Sequence, residues 1–106
     1  GDADRVVRYA GGGPLLDGLA AYPSATATVA AWAARNDCSG ALGPTGDARN
    51  LDVRIAGAET RIEAYRGCPA DGAVELWTIE GGGHVPRFGD QWSKSVWAWL
   101  AAHPKA

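Results

Sequence analysis

Residues 73–79, AVELWTI, constrain the fold more than any other stretch of this chain. Val74 and Leu76 point to one side of an extended strand, and Trp77 and Ile79 to the other. A strand apolar on both faces belongs inside a sheet that is covered on two sides. The strand is preceded by an Asp71-Gly72 turn signal and runs directly into E-G-G-G-H.

The rest of the chain reads as elements that could build such a layer. Residues 5–9 form a short β-like run, cut off by Gly11-Gly12-Gly13-Pro14. Pro23-Ser24 opens a helix with Ser24 as N-cap, running to about Arg35 with Val29, Trp32 and several alanines on its buried side. Residues 40–50, GALGPTGDARN, have loop composition. Leu51, Val53 and Ile55 alternate with Asp52 and Arg54, the pattern of a half-buried strand. Residues 60–66 are another strand candidate, with Ile62 and Ala64 on one face. The last element is a helix over residues 90–102, with Trp92, Val96, Trp99 and Leu100 at helical spacing, Asp90 as its cap and His103-Pro104 as its stop.

Charge excludes one class of partner. Ten Lys and Arg face twelve Asp and Glu with no basic run, which argues against a nucleic-acid surface. No apolar run approaches the length of a membrane span. A chain of 106 residues in which much of the hydrophobic content is alanine is expected to be only marginally stable alone. Cys38 and Cys68 lie in turn-forming surroundings and outside any C-x-x-C pair, so they suggest neither a zinc nor a redox motif. Two free thiols and one bridge are both open; an even count at loop ends suits the bridge and a secreted protein.

His84 follows the three glycines just beyond the carboxyl end of the strand, the edge where open α/β sheets gather ligands and catalytic groups. Taken bare, G-G-G-H also fits a surface histidine on a glycine-rich loop. The amino-terminal stretch G-D-A-D-R-V-V-R-Y-A-G-G alters the balance. Together with P-S-A-T-A-T-V-A-A-W-A-A-R-N-D-C, V-E-L-W-T-I-E-G-G-G-H and W-A-W-L-A-A-H-P, it resembles the secreted α/β-hydrolases of the polyhydroxybutyrate depolymerase and feruloyl esterase type. The similarity covers nearly the whole chain and is weakest over residues 40–60. It implies a C-terminal segment of one α/β-hydrolase catalytic domain, with about three strands and two main helices here. Asp4 matches the family's catalytic acid and His84 its base, and Cys38 and Cys68 look like partners in a family disulfide. The loop around Gly83, Val85 and Pro86 would border the substrate. Here the chain departs from the family, with Val85-Pro86-Arg87-Phe88 where many members have T-W-P-G. Asp37 stands where glycine is common.

The implied chemistry is ester hydrolysis by a Ser-His-Asp triad, which needs no metal or cofactor. Chain order in this fold is Ser, Asp, His, so the nucleophile would precede Asp4. None of Ser24, Ser39, Ser93 and Ser95 lies in G-x-S-x-G; they read as a cap, a turn residue and two positions on the last helix. The expected partners are therefore an ester substrate and an upstream segment of the same hydrolase bearing the serine. Asp2 competes with Asp4 for the acid's role, and the motif register favours Asp4. His103 reads as a helix-end residue, and Trp77, Trp92, Trp97 and Trp99 as core or sheet cover. The competing function is a noncatalytic, disulfide-stapled binding module, or a degenerate hydrolase remnant.

Overall fold

The computed structural model describes residues 1–14 and 20–105. Their elements run α1 (Ala25–Arg35), β1 (Leu42–Arg49), β2 (Thr60–Tyr65), β3 (Glu75–Ile79) and α2 (Asp90–Ala102). The class is mixed α and β. The three strands form one sheet in the order β1-β2-β3, and both pairings are antiparallel, in register Leu42↔Tyr65 and Thr60↔Ile79.

Both helices form over the residues where the sequence places them. Ser24 accepts a hydrogen bond from the Ala27 N–H, satisfying one of the orphan donors at the start of α1. Asp37, just after the Asn36 C-cap, has φ of 57°, the left-handed conformation in which glycine is the usual helix terminator. Burial differs from expectation. Ala33 is the buried residue of α1, whereas Trp32 is 53% exposed and lies beside the Arg35 guanidinium. The cap of α2 is Gly89 rather than Asp90, and Asp90 sits instead in the first turn, where a carboxylate favours the helix dipole. His103 ends α2, its Nδ1 donating to the Trp99 carbonyl.

Strand assignment departs from the sequence reading in three places. Residues 42–49 form an edge strand despite their loop composition. Pro44 is tolerable at an edge, where no ladder donor is required of it. The register breaks between Pro44 and Ala48, around Gly46 at φ 86°, and Thr45 Oγ1 mends the break by donating to the Ile62 carbonyl and accepting from the Asp47 N–H. Residues 51–55 are not a strand but a turn. Leu51 and Asp52 are buried side by side and Val53 is exposed, so the alternation is not realised. Residues 5–9 also turn instead of extending, because Asp4 Oδ1 accepts the N–H groups of both Val6 and Val7, leaving those valines exposed.

The core is small. Ala33, Leu51, Ile62, Val74 and Ile79 are its buried apolar side chains, with Thr60 and Thr78 buried beside them. Within β3, Leu76 and Trp77 are half-buried, so the strand's two apolar faces are only partly covered by the described residues. A disulfide joins Cys38 to Cys68, tying the end of α1 to the turn after β2.

Candidate active site

The loop leaving β3 is built on its glycines. Gly81 has φ of 73°, which favours glycine, and a Cβ on Gly82 would sit 2.6 Å from Ile79 Cγ2. Gly83 has open space around it. The amino-terminal residues dock against this loop. Asp2 N–H donates to the Ile79 carbonyl, Ala3 N–H to the Gly82 carbonyl, and Gly81 N–H to Asp2 Oδ1 at 2.7 Å. Asp2 therefore orders the glycine turn and takes no part with the histidine.

Asp4 and His84, eighty positions apart, meet through Oδ2 and Nδ1 at 3.1 Å. The other oxygen of Asp4 is taken up by the Val6 and Val7 N–H groups at 2.8 and 2.9 Å. Burial would raise the Asp4 pKa, but the hydrogen bond from His84 and those from Val6 and Val7 outweigh it and hold the carboxyl below its ordinary value of 3.8. Asp4 is thus ionised at neutral pH and can only accept, so Nδ1 carries a proton, and in the neutral imidazole the lone pair is then on Nε2. The Asp4 side chain is 10% exposed and that of His84 46%. A shielded acceptor holds an accessible base.

The serines lie elsewhere. Ser24 Oγ caps α1, Ser39 Oγ donates to the Gly67 carbonyl, and Ser93 and Ser95 lie on α2. Among the described residues no serine hydroxyl bonds His84. An open hollow of about 580 Å³ adjoins Asp4, lined also by Asp2, Arg5, Arg8 and Tyr9. Among the described residues no group of three His, Cys, Asp or Glu side chains converges as a metal site, and no helix is long and apolar enough to cross a membrane.

The loop beyond the histidine is fastened by residues that the sequence reading had placed on a strand. Val85 is exposed and Pro86 half-buried. Val53 N–H donates to the Arg87 carbonyl, Asp52 pairs with Phe88 as an isolated bridge, and Gly89 N–H donates to the Leu51 carbonyl. Arg54 donates from Nη2 to the Val85 carbonyl and grips the Asp52 carboxylate through Nε and Nη2. Below them Glu59 is buried, and its Oε1 accepts from Leu51 N–H, Asp52 N–H and Thr60 Oγ1. Nothing in the local pattern distinguished these carboxylates from solvent-facing ones; the only signal was the density of Asp, Arg and Glu in and just after a segment read as strand.

Burial raises the Glu59 pKa, but the backbone donors, Asp52 and Leu51 foremost, hold it below its ordinary value of 4.5. A depressed folded value means that the ionised form stabilises the fold. That contribution is complete above the unfolded value and is lost as pH falls through the folded one. Glu59→Gln is therefore expected to cost about 1.5 kcal/mol at neutral pH, the worth of charge-assisted hydrogen bonds made neutral. It should also flatten the acid limb of the stability curve below pH 4.5, a part of which Asp4 and Asp52 retain. Urea midpoints taken at stepped pH measure both effects.

Comparison of the chain with protein-family models, with curated proteins and with solved structures finds no match.

Proposed function

We propose that this chain supplies the acid and base of a serine esterase: Asp4 and His84 of a Ser-His-Asp triad whose nucleophile lies outside these 106 residues. The observation that carries the reading is the Asp4–His84 pair. Its two members lie eighty positions apart in the sequence, no hydrogen bond to Nε2 is made among the described residues, and the His84 side chain is 46% exposed. In the proposed reaction Nε2 takes the proton of a serine hydroxyl as the oxygen attacks the ester carbonyl, then delivers it to the departing alcohol. Asp4 stays ionised throughout, fixing the tautomer and stabilising the imidazolium. Water repeats the cycle on the acyl-enzyme.

Other features support the resemblance to the polyhydroxybutyrate depolymerase and feruloyl esterase type. The disulfide joins the two cysteines that the family would pair. Asp37 adopts the left-handed conformation at the position where the family commonly has glycine. Gly11 of the amino-terminal motif has φ of 84° and lies so close to Ser24 N that a Cβ would clash, and the motif's Tyr9 bonds Thr78 of β3. On this reading the chain is the C-terminal part of an α/β-hydrolase domain, secreted in keeping with its disulfide, and its substrates are polyester, aryl or polysaccharide-linked esters.

The test is hydrolysis of a short-chain p-nitrophenyl ester by this chain alone, by a longer protein that carries it downstream of a G-x-S-x-G element, and by the His84→Ala form of each. Activity confined to the longer protein and lost with His84 is the expected result. A serine-bearing longer protein that is equally active without His84, or inactive with it, would favour the noncatalytic module.

A further inference from the structure

We propose that Arg54 is a positioning residue for His84, locking the backbone of the loop that carries it. The inference rests on the reading of His84 as the base. Asp4 holds the ring, but a ring can be held only if its backbone is also fixed. Val85 is the next residue, and its carbonyl belongs to the peptide bond with Pro86, which has no N–H to contribute to a loop network. That carbonyl is bonded by Arg54 Nη2. The same guanidinium is anchored on Asp52, with Nε to Oδ1 and Nη2 to Oδ2, both at 3.3 Å.

The anchor is firm although Arg54 is half in solvent. Exposed ion pairs are generally weak. Here the side-chain exposures are 55% for Arg54 and 2% for Asp52, so one partner is fixed by the fold. The Asp52 backbone is itself held by the buried Glu59 carboxylate. A continuous relay runs from Glu59 through Asp52 and Arg54 to the residue after His84. The hydrogen bond from Arg54, side chain first and then backbone, lowers the Asp52 pKa, so the anchor is ionised at neutral pH. The charged side chains that bond the His84 loop include Asp2 and Asp4, to the Gly81 N–H and the His84 ring, and Arg54, to the Val85 carbonyl while paired with Asp52. Glu80 and Arg87 lie on the loop itself, Glu80 paired with Arg61.

Lysine cannot stand in for this arrangement. Its ammonium is a point charge, whereas the planar fork of arginine serves two acceptors in fixed directions. The readout is the ratio of the Nδ1–H to the Nε2–H tautomer of His84, measured by nitrogen-15 NMR on the oxidised chain at a pH where the ring is neutral. In Arg54→Gln the ratio is expected to fall about fivefold, the factor one ordinary hydrogen bond is worth. Arg54→Lys should shift it in the same direction by less, and it keeps a positive charge beside Asp52 should the Gln variant not fold. Ser24→Ala, which weakens the fold at the α1 cap, should leave the ratio unchanged. An unchanged ratio in Arg54→Lys overturns the proposal, and so does an equal shift in Ser24→Ala, which would mean that the ratio follows overall stability. The measurement needs no nucleophile or ester. Failure of Arg54 as a positioning residue is therefore distinguishable from failure of the esterase reading, which shows as ester hydrolysis indifferent to His84.

Discussion

Replacing Asp4 with asparagine in an esterase that contains this chain is expected to lower turnover on the order of 10⁴-fold, with little change in KM. The size of the effect follows from what the carboxylate does. Both of its oxygens are engaged, one by His84 Nδ1 and the other by two backbone N–H groups. An asparagine in that place keeps the shape but can present its amide N–H to Nδ1. The imidazole must then carry its proton on Nε2, where the serine proton has to go, and the base is lost. The charge that would stabilise the imidazolium is lost with it. His84→Ala should be at least as severe, because it removes the proton carrier itself. Initial-rate kinetics on a soluble aryl ester separate the two parameters. An Asp4→Asn enzyme within tenfold of the parent would mean that another acceptor orients His84.

The second large effect concerns stability. Cys38 and Cys68 are separated by thirty positions, and a crosslink of that span is worth about 3.6 kcal/mol in the chain-entropy model. That is a large share of what so small a core can supply. The bridge also lies where backbone bonds converge. Ser39 N–H donates to the Gly67 carbonyl, Gly40 N–H to the Arg66 carbonyl, and Arg66 N–H to the Ala41 carbonyl. The double substitution Cys38→Ser, Cys68→Ser should therefore lower the urea midpoint by the equivalent of about 3.6 kcal/mol, with the slope rising as the unlinked denatured chain exposes more surface. A midpoint unmoved by removal of the bridge would show that the fold does not draw on it.

How far the fold could be read beforehand depended on where each element's determinants lie. The helices were legible because theirs are local: a Ser24 cap, a run of alanines, and tryptophans at helical spacing. Strand β2 was legible from apolar alternation and β3 from a run apolar on both faces, with Ile62 and Ile79 buried in the sheet. Strand β1 was not, because GPTGD carries turn signals and becomes a strand only by pairing with residues 60–65. Residues 51–55 misled for the converse reason. Their alternation is real, but Glu59 and Asp52 claim the N–H groups that a ladder would need, and neither carboxylate announces its burial locally. The site divides in the same way. A strand followed by glycines and a histidine is a local signal, whereas the choice of Asp4 over Asp2 came from motif register, and both aspartates proved to touch the same loop. Arg54 could not have been singled out, since its link to Val85 exists only once two distant turns have met.

The most direct test of the triad uses a reagent that reports on an activated serine. A fluorophosphonate is attacked by a serine oxygen only when a base takes its proton; the P–O bond forms and fluoride leaves. Applied to a longer protein that carries this chain after a G-x-S-x-G element, it should label that serine stoichiometrically. With His84→Ala the label should be lost. Equal labelling with and without His84 would contradict the account, and the Asp4–His84 pair would then be a structural contact at the end of a strand.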